Sequence, residues 1–90
     1  MPSPLHGYRY QLFRKLLIEA RENAGMTQVQ VAELLRKPQS FVSKYERGER
    51  RLDFTEFVEI AATLEIDAHA FIDEYQSSLN ISKRHLQRQK

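Results

Sequence analysis

Between Thr27 and Arg50 the stretch TQVQVAELLRKPQSFVSKYERGER spells out two short amphipathic helices and a tight turn between them, which constrains the fold more than any other segment. Thr27 with Gln30 satisfies the capping-box pattern: the Thr oxygen accepts from a backbone N–H of the first turn while the Gln side chain reaches back. Gly25, just upstream, suits the left-handed residue that closes a preceding helix. Val31, Leu34 and Leu35 recur at helical spacing and give residues 27–35 one apolar side. Arg36 and Lys37 form the turn. Pro38 then opens a second helix at its first position, where a missing N–H costs nothing.

That second helix is expected over residues 38–47, with Gly48 as its C-cap. At about 100° per residue, Phe41, Val42 and Tyr45 fall on one arc together with Pro38. Gln39, Ser40, Ser43, Lys44 and Arg47 occupy another arc, roughly 140° wide and free of carboxylates. Glu46 lies at the edge, nearer the apolar side. Amides, hydroxyls and cations bond base edges and phosphates without repelling them, and a helix of this kind following a tight turn can lie in the major groove of duplex DNA.

A polar outer face alone is common on surface helices. The distribution of charge adds to it. Residues 36–51 hold six basic residues (Arg36, Lys37, Lys44, Arg47, Arg50, Arg51) against two acids, Glu46 and Glu49, whereas residues 52–76 hold seven acids and no Lys or Arg. A polyanion is drawn to the first segment and turned away by the next, which sets an orientation as well as an affinity.

The 90-residue chain supports one small domain, and without cysteine it has neither a disulfide framework nor a thiolate metal site. A hydrophobic fraction of 41% is enough for a compact helical core. No apolar run approaches the roughly 20 residues of a membrane span, and MPSPLHGYRY lacks the apolar stretch of a signal peptide, so a soluble cytoplasmic protein is expected.

Residues 1–7 read as a frayed entry segment, residues 8–79 as the folded domain and residues 80–90 as a basic tail. A first long helix over 8–24 uses Tyr8, Leu12, Leu16 and Ala20, with Phe13 and Leu17 beside them. Asp53, followed by Glu56, caps a fourth helix whose buried side is read as Phe54, Phe57, Val58, Ala61, Ala62 and Leu64. A fifth, over 68–79, uses Phe71, Ile72, Tyr75 and Leu79. No segment alternates as a half-buried strand does, so the expected class is all-α with five helices. The tail, with Lys83, Arg84, Arg88 and Lys90, is either solvated or adds phosphate contacts.

These residues carry a family resemblance. Gly25-Met26-Thr27-Gln28, Val31-Ala32-Glu33-Leu34-Leu35 and Ser40-Phe41-Val42-Ser43-Lys44-Tyr45-Glu46-Arg47-Gly48, in that order, resemble the lambda-repressor-like Cro/C1-type helix-turn-helix proteins, the XRE family, and the likeness extends loosely over about residues 8–75. It implies a lambda-repressor-like domain whose helix-turn-helix is formed by helices two and three, and a sequence-specific DNA-binding regulator, a repressor acting as a dimer on a near-palindromic operator. The alternative is an antitoxin or restriction-modification controller that also binds a protein partner.

On this resemblance Gln28 holds a phosphate with its amide or the neighbouring backbone N–H, since helix N-termini attract anions. Gln39, Ser40, Ser43 and Lys44 meet base edges, with Ser43 placed to touch either a base or a phosphate. A Gln amide can pair with adenine and a Lys can reach guanine, but sequence forces neither. Arg47 and Arg50, flanked by Lys37 and Arg51, fall to backbone phosphates. Arg21 pairs with Glu46 in a structural role. Two departures stand out: Arg36 and Glu65 occupy positions where relatives commonly have Gly.

Enzymatic chemistry has no support. His6, His69 and His85 lack metal-ligand spacing, no phosphate-binding Gly loop occurs, and Ser40 and Ser43 have no His in the same motif, so neither metal nor cofactor is expected. Dimerisation is assigned to helix five through Phe71, Ile72 and Tyr75, unless these close the monomer core instead.

Overall fold

The computed structural model describes residues 7–79, which form five helices: α1 (Tyr8–Asn23), α2 (Gln28–Leu35), α3 (Gln39–Arg47), α4 (Phe54–Thr63) and α5 (Ala68–Ser78). There is no strand among the described residues. The entry residues 1–6, the basic tail 80–90, His6 and His85 lie outside them. Among the described residues no helix is long and apolar enough to cross a membrane.

Local chemistry sets most of the boundaries. At α2 the capping box is complete, with Gln30 N–H donating to Thr27 Oγ1 at 3.1 Å and Thr27 N–H to Gln30 Oε1 at 2.8 Å. The same device starts α4: Glu56 N–H donates to Asp53 Oδ1 at 2.8 Å and Asp53 N–H to Glu56 Oε1 at 3.0 Å. Pro38 differs from expectation by one residue. It is the N-cap of α3, not its first helical residue, because its ψ of 154° is extended.

Each of α1 to α4 ends in a left-handed residue. Gly25 (φ 72°) and Gly48 (φ 83°) take that conformation without a Cβ clash, but Arg36 (φ 60°) and Glu65 (φ 58°) take it with a side chain. At Arg36 the turn is closed by Arg36 N–H to Glu33 O at 3.1 Å and Lys37 N–H to Ala32 O at 3.0 Å. Glu65 and Ile66 repeat the pattern onto Ala62 and Ala61. These bonds hold the backbone in the shape that glycine would favour.

The core gathers Leu16 and Leu17 of α1, Val31 and Ala32 of α2, Val42 and Tyr45 of α3, Phe57, Ile60, Ala61 and Leu64 around α4, and Phe71 of α5. Burying each large side chain among them contributes about 1.5–3 kcal/mol. Phe13 links three rings, with centroids 5.5 Å from Tyr10, 5.7 Å from Phe57 and 5.9 Å from Phe71.

Three apolar faces differ from those read off the sequence. On α4 the buried stripe is Phe57, Ile60, Ala61 and Leu64, whereas Phe54 is 73% exposed, Val58 is 41% exposed and Ala62 is also outside. Phe54 is the first residue after the cap and precedes the part of the helix that meets the core. On α2, Ala32 replaces Leu34 on the buried side, and on α1 Tyr10 is buried while Tyr8 is exposed. α3 rests on both α2 and α1, which leaves its remaining side open to solvent.

Candidate nucleic-acid interface

The open side of α3 carries Gln39, Ser40, Lys44 and Arg47, all exposed, with Ser43 half-buried and its Oγ donating to Ser40 O at 3.3 Å. The opposite side, Val42, Tyr45 and Glu46, is buried. Among the described residues Glu46 is the exception to an otherwise apolar set of buried side chains, a carboxylate only 5% exposed. A buried carboxylate requires partners.

Glu46 has them from two helices. Arg21 of α1 grips it at two points, Nε to Oε2 at 2.7 Å and a terminal nitrogen to Oε1 at 3.2 Å. Gln28 of α2 donates Nε2 to Oε1 at 2.8 Å. The other terminal nitrogen of Arg21 donates to Met26 O at 2.9 Å, fixing the α1–α2 corner. Hydrogen bonding to Glu46 raises the Arg21 pKa above its ordinary value, against the opposing effect of burial. Burial, followed by the charge of neighbouring Glu46, also pushes the Tyr45 phenol well above its usual range.

From Glu46 the bonding continues outward. Gln28 Oε1 accepts from Gln39 Nε2 at 3.1 Å, so the first residue of α3 is held through Gln28 by a carboxylate two turns further along the same helix. The Gln28 amide, expected at a phosphate, has its oxygen and one N–H engaged by protein partners, and its second N–H stays available to an anion. The N-terminal amides of α2 are also suited to an anion.

Sequence reasoning passed over Arg14. Its guanidinium donates to Glu46 O and lies under the end of α3, where a Cβ on Gly48 would come within 3.0 Å of Arg14 Nε. Among the described residues that buried Nε has no hydrogen-bond partner. A signal was available: Arg14 and Arg21 are seven residues apart, two helical turns, and therefore share a face of α1. Tyr10 was also missed; its hydroxyl accepts from Leu52 N–H at 2.9 Å and ties the basic loop to α1.

The cations around α3 are less uniform than their sequence suggests. Arg47 is bonded to Glu49 through Nε at 3.0 Å and a terminal nitrogen at 2.9 Å, both side chains exposed. Arg50 is held more firmly, by Glu56 at 2.8 and 3.0 Å, by Arg51 O at 3.0 Å and by the Phe41 ring, 4.7 Å from centroid to guanidinium. Lys37 lies over the same ring at 5.3 Å, and Arg51 over Tyr10 at 4.6 Å. The exposed Lys44 side chain makes no hydrogen bond or ion pair among the described residues, although its charge acts on Glu49. Among those residues no cluster of three or more His or acidic side chains could hold a metal ion.

Comparison with known proteins agrees with this architecture. A family described as helix-turn-helix matches residues 17–71, more than half of the chain. An XRE-family-like protein from Pseudomonas syringae pv. tomato str. DC3000 superimposes with a TM-score of 0.76 at 44% identity, over 81% of this chain and 89% of that one. A mutant of the restriction-modification controller protein C.Esp1396I shares the fold with a TM-score of 0.72 at 24% identity, over 88% of this chain and 95% of its own. No match is found among curated proteins. With a capped α2, a left-handed turn and an acid-free outer face on α3, the chain belongs to the XRE family of Cro/C1-type helix-turn-helix proteins, DNA-binding regulators of transcription.

Proposed function

We propose that this protein is a sequence-specific repressor that binds a near-palindromic operator as a homodimer in the cytoplasm, with α3 in the major groove. The observation that carries the reading is the chain of bonds from Glu46 through Gln28 to Gln39. A carboxylate can only accept, so Gln28 turns its NH2 toward Glu46 and its oxygen toward Gln39. Gln39 must then donate one N–H inward, which leaves its oxygen and its second N–H facing out. An acceptor beside a donor is the complement of adenine N6 and N7. Gln39 therefore reads adenine, and Lys44, one turn on, reads guanine O6 or N7. Ser40 and Ser43 supply shorter contacts. Arg47 and Lys37 meet phosphates, while Arg50 and Arg51 brace the loop and face the backbone from there.

One recognition helix covers only a few base pairs, so two are needed, with half-sites roughly 34 Å apart. The surface for pairing is apolar and joins α5 to α4. Phe54, Val58 and Ile72 are exposed there, and Phe54 and Ile72 line a groove of about 470 Å³ whose floor is aromatic, chiefly Phe13, Phe57 and Phe71, and whose rim carries Arg9 and Arg51. A twofold contact presents the same knob and groove from each copy, so one patch suffices for both. Phe71 closes the monomer core, Tyr75 packs against that core and donates its hydroxyl to Arg9 O at 3.3 Å, and Ile72 extends toward the partner.

Selection of bound sites from a random duplex library tests the reading. The expected outcome is a symmetric site with adenine at the position facing residue 39, and that preference disappears in Gln39→Ala. Asymmetric sites without an adenine requirement would sink it.

A further inference from the structure

Glu49 lies beside the DNA-facing side of α3, where an acid is out of place. Its backbone is pinned there, because Gly48 turns the chain through φ 83° and Glu49 N–H returns to Lys44 O at 2.8 Å. Its carboxylate takes both bonds of the Arg47 fork, at 2.9 and 3.0 Å. That Nε-plus-terminal-nitrogen edge is the one with which arginine grips a phosphate, and a carboxylate matches it equally well. Lys44, three residues before Arg47, has no such partner among the described residues.

We propose that Glu49 is an internal stand-in for a DNA phosphate: it holds Arg47 in the free protein and must be displaced before Arg47 can bind the backbone. The proposal rests on the reading of α3 as the recognition helix. Both side chains are more than half exposed, so the pair is screened and readily exchanged. The bond raises the Arg47 pKa and lowers that of Glu49, as expected for two groups that favour each other's charged form.

Exchange has a measurable signature in salt. An arginine that neutralises a phosphate releases about one counterion from the duplex. When the arginine comes from a carboxylate, the freed carboxylate attracts a cation in turn, and the net release attributable to that contact falls toward zero. Glu49 thus lowers affinity for any duplex and flattens its salt dependence. The lowered affinity falls on random sequence and operator alike, which leaves base contacts a larger share of the binding energy.

The test is fluorescence anisotropy on a random-sequence duplex of about 20 base pairs, titrated between roughly 50 and 200 mM salt. Glu49→Gln is expected to bind about two- to fivefold more tightly at the low-salt end, with a log–log salt slope steeper by about one. In an Arg47→Met background the same substitution is expected to have a much smaller effect, left by the bare charge of the carboxylate near Lys44 and the duplex. No gain in Glu49→Gln overturns the proposal, as does an equal gain with Arg47 absent, since the carboxylate would then act on the duplex directly. Unchanged affinity in Arg47→Met alone overturns it together with the phosphate role of Arg47. The adenine preference assigned to Gln39 is read separately, by site selection, and survives either result.

Discussion

Two of the molecule's arginine–carboxylate pairs, each bonded at two points, stand in opposite surroundings. Arg21 and Glu46 meet in the angle between α1 and α3 with side chains 14% and 5% exposed, whereas Arg47 and Glu49 meet at the rim with 55% and 54% exposed. The bond lengths are similar, 2.7 Å and 2.9 Å, so geometry alone does not separate them. Their surroundings do. In the interior, loss of one partner strands a charge that water cannot reach, and the pair defines one position of α3 on α1. At the rim, water or a phosphate replaces either partner with little loss. The first pair sets where the recognition helix points, and the second sets how readily it lets go of its own acid.

Breaking the interior pair has the largest expected effect. Glu46→Ala removes the acceptor for Arg21 and Gln28 together and is expected to lower stability by about 3 kcal/mol, read from urea denaturation. An unchanged midpoint would place the pair with the exposed class. Next come the base contacts proposed above: Gln39→Ala and Lys44→Ala are each expected to cost on the order of 1–3 kcal/mol of preference at one operator position, measured by competition between matched and mismatched duplexes. Loss spread evenly over all positions would show that they act as phosphate contacts.

Gly48→Ala puts a side chain on a left-handed residue and against the Arg14 guanidinium, for a loss of about 1–2 kcal/mol in the same denaturation assay. Arg36→Gly works in the opposite direction. It relieves a left-handed non-glycine residue and is expected to raise stability by about 0.5 kcal/mol, the extra freedom of the unfolded chain offsetting part of the gain.

The smallest effect is on pH dependence. Asp53 is held below its ordinary pKa first by the Glu56 backbone N–H, and Glu56 first by Arg50. Lowered folded values mean that their contribution is present above the ordinary carboxyl range of 3.8–4.5 and is lost as the pH falls through the depressed values. Asp53→Asn should flatten that acid limb, and an unaltered limb would show that other carboxylates produce it.

What could be read in the sequence followed the range of the forces involved. The capping boxes at Thr27 and Asp53 involve residues three apart, and the turns at Gly25 and Gly48 depend on one backbone angle, so composition sufficed to locate them. The outward arc of α3 came from helical geometry alone. Burial on α4 did not, because FTEFVEIAAT is apolar on several sides and the choice of Ile60 over Phe54 and Val58 belongs to α1 and α2. The partners of the arginines were equally hidden. Arg47 and Arg50 are both cations in a basic loop, and only tertiary placement gives one a lone exposed acid and the other an acid, a carbonyl and an aromatic ring.

The Gln28–Gln39 bond also limits how this domain could be retargeted. Residues 40 and 44 are exposed and have no side-chain bond to α2, so under the proposed reading each can be exchanged by itself to recognise a different base. Residue 39 is different: its inward N–H completes Gln28, and a replacement that cannot donate leaves the Gln28 oxygen without that partner. A redesigned specificity at that position would have to be introduced as a pair of substitutions, with residues 28 and 39 varied together in any library built on this scaffold.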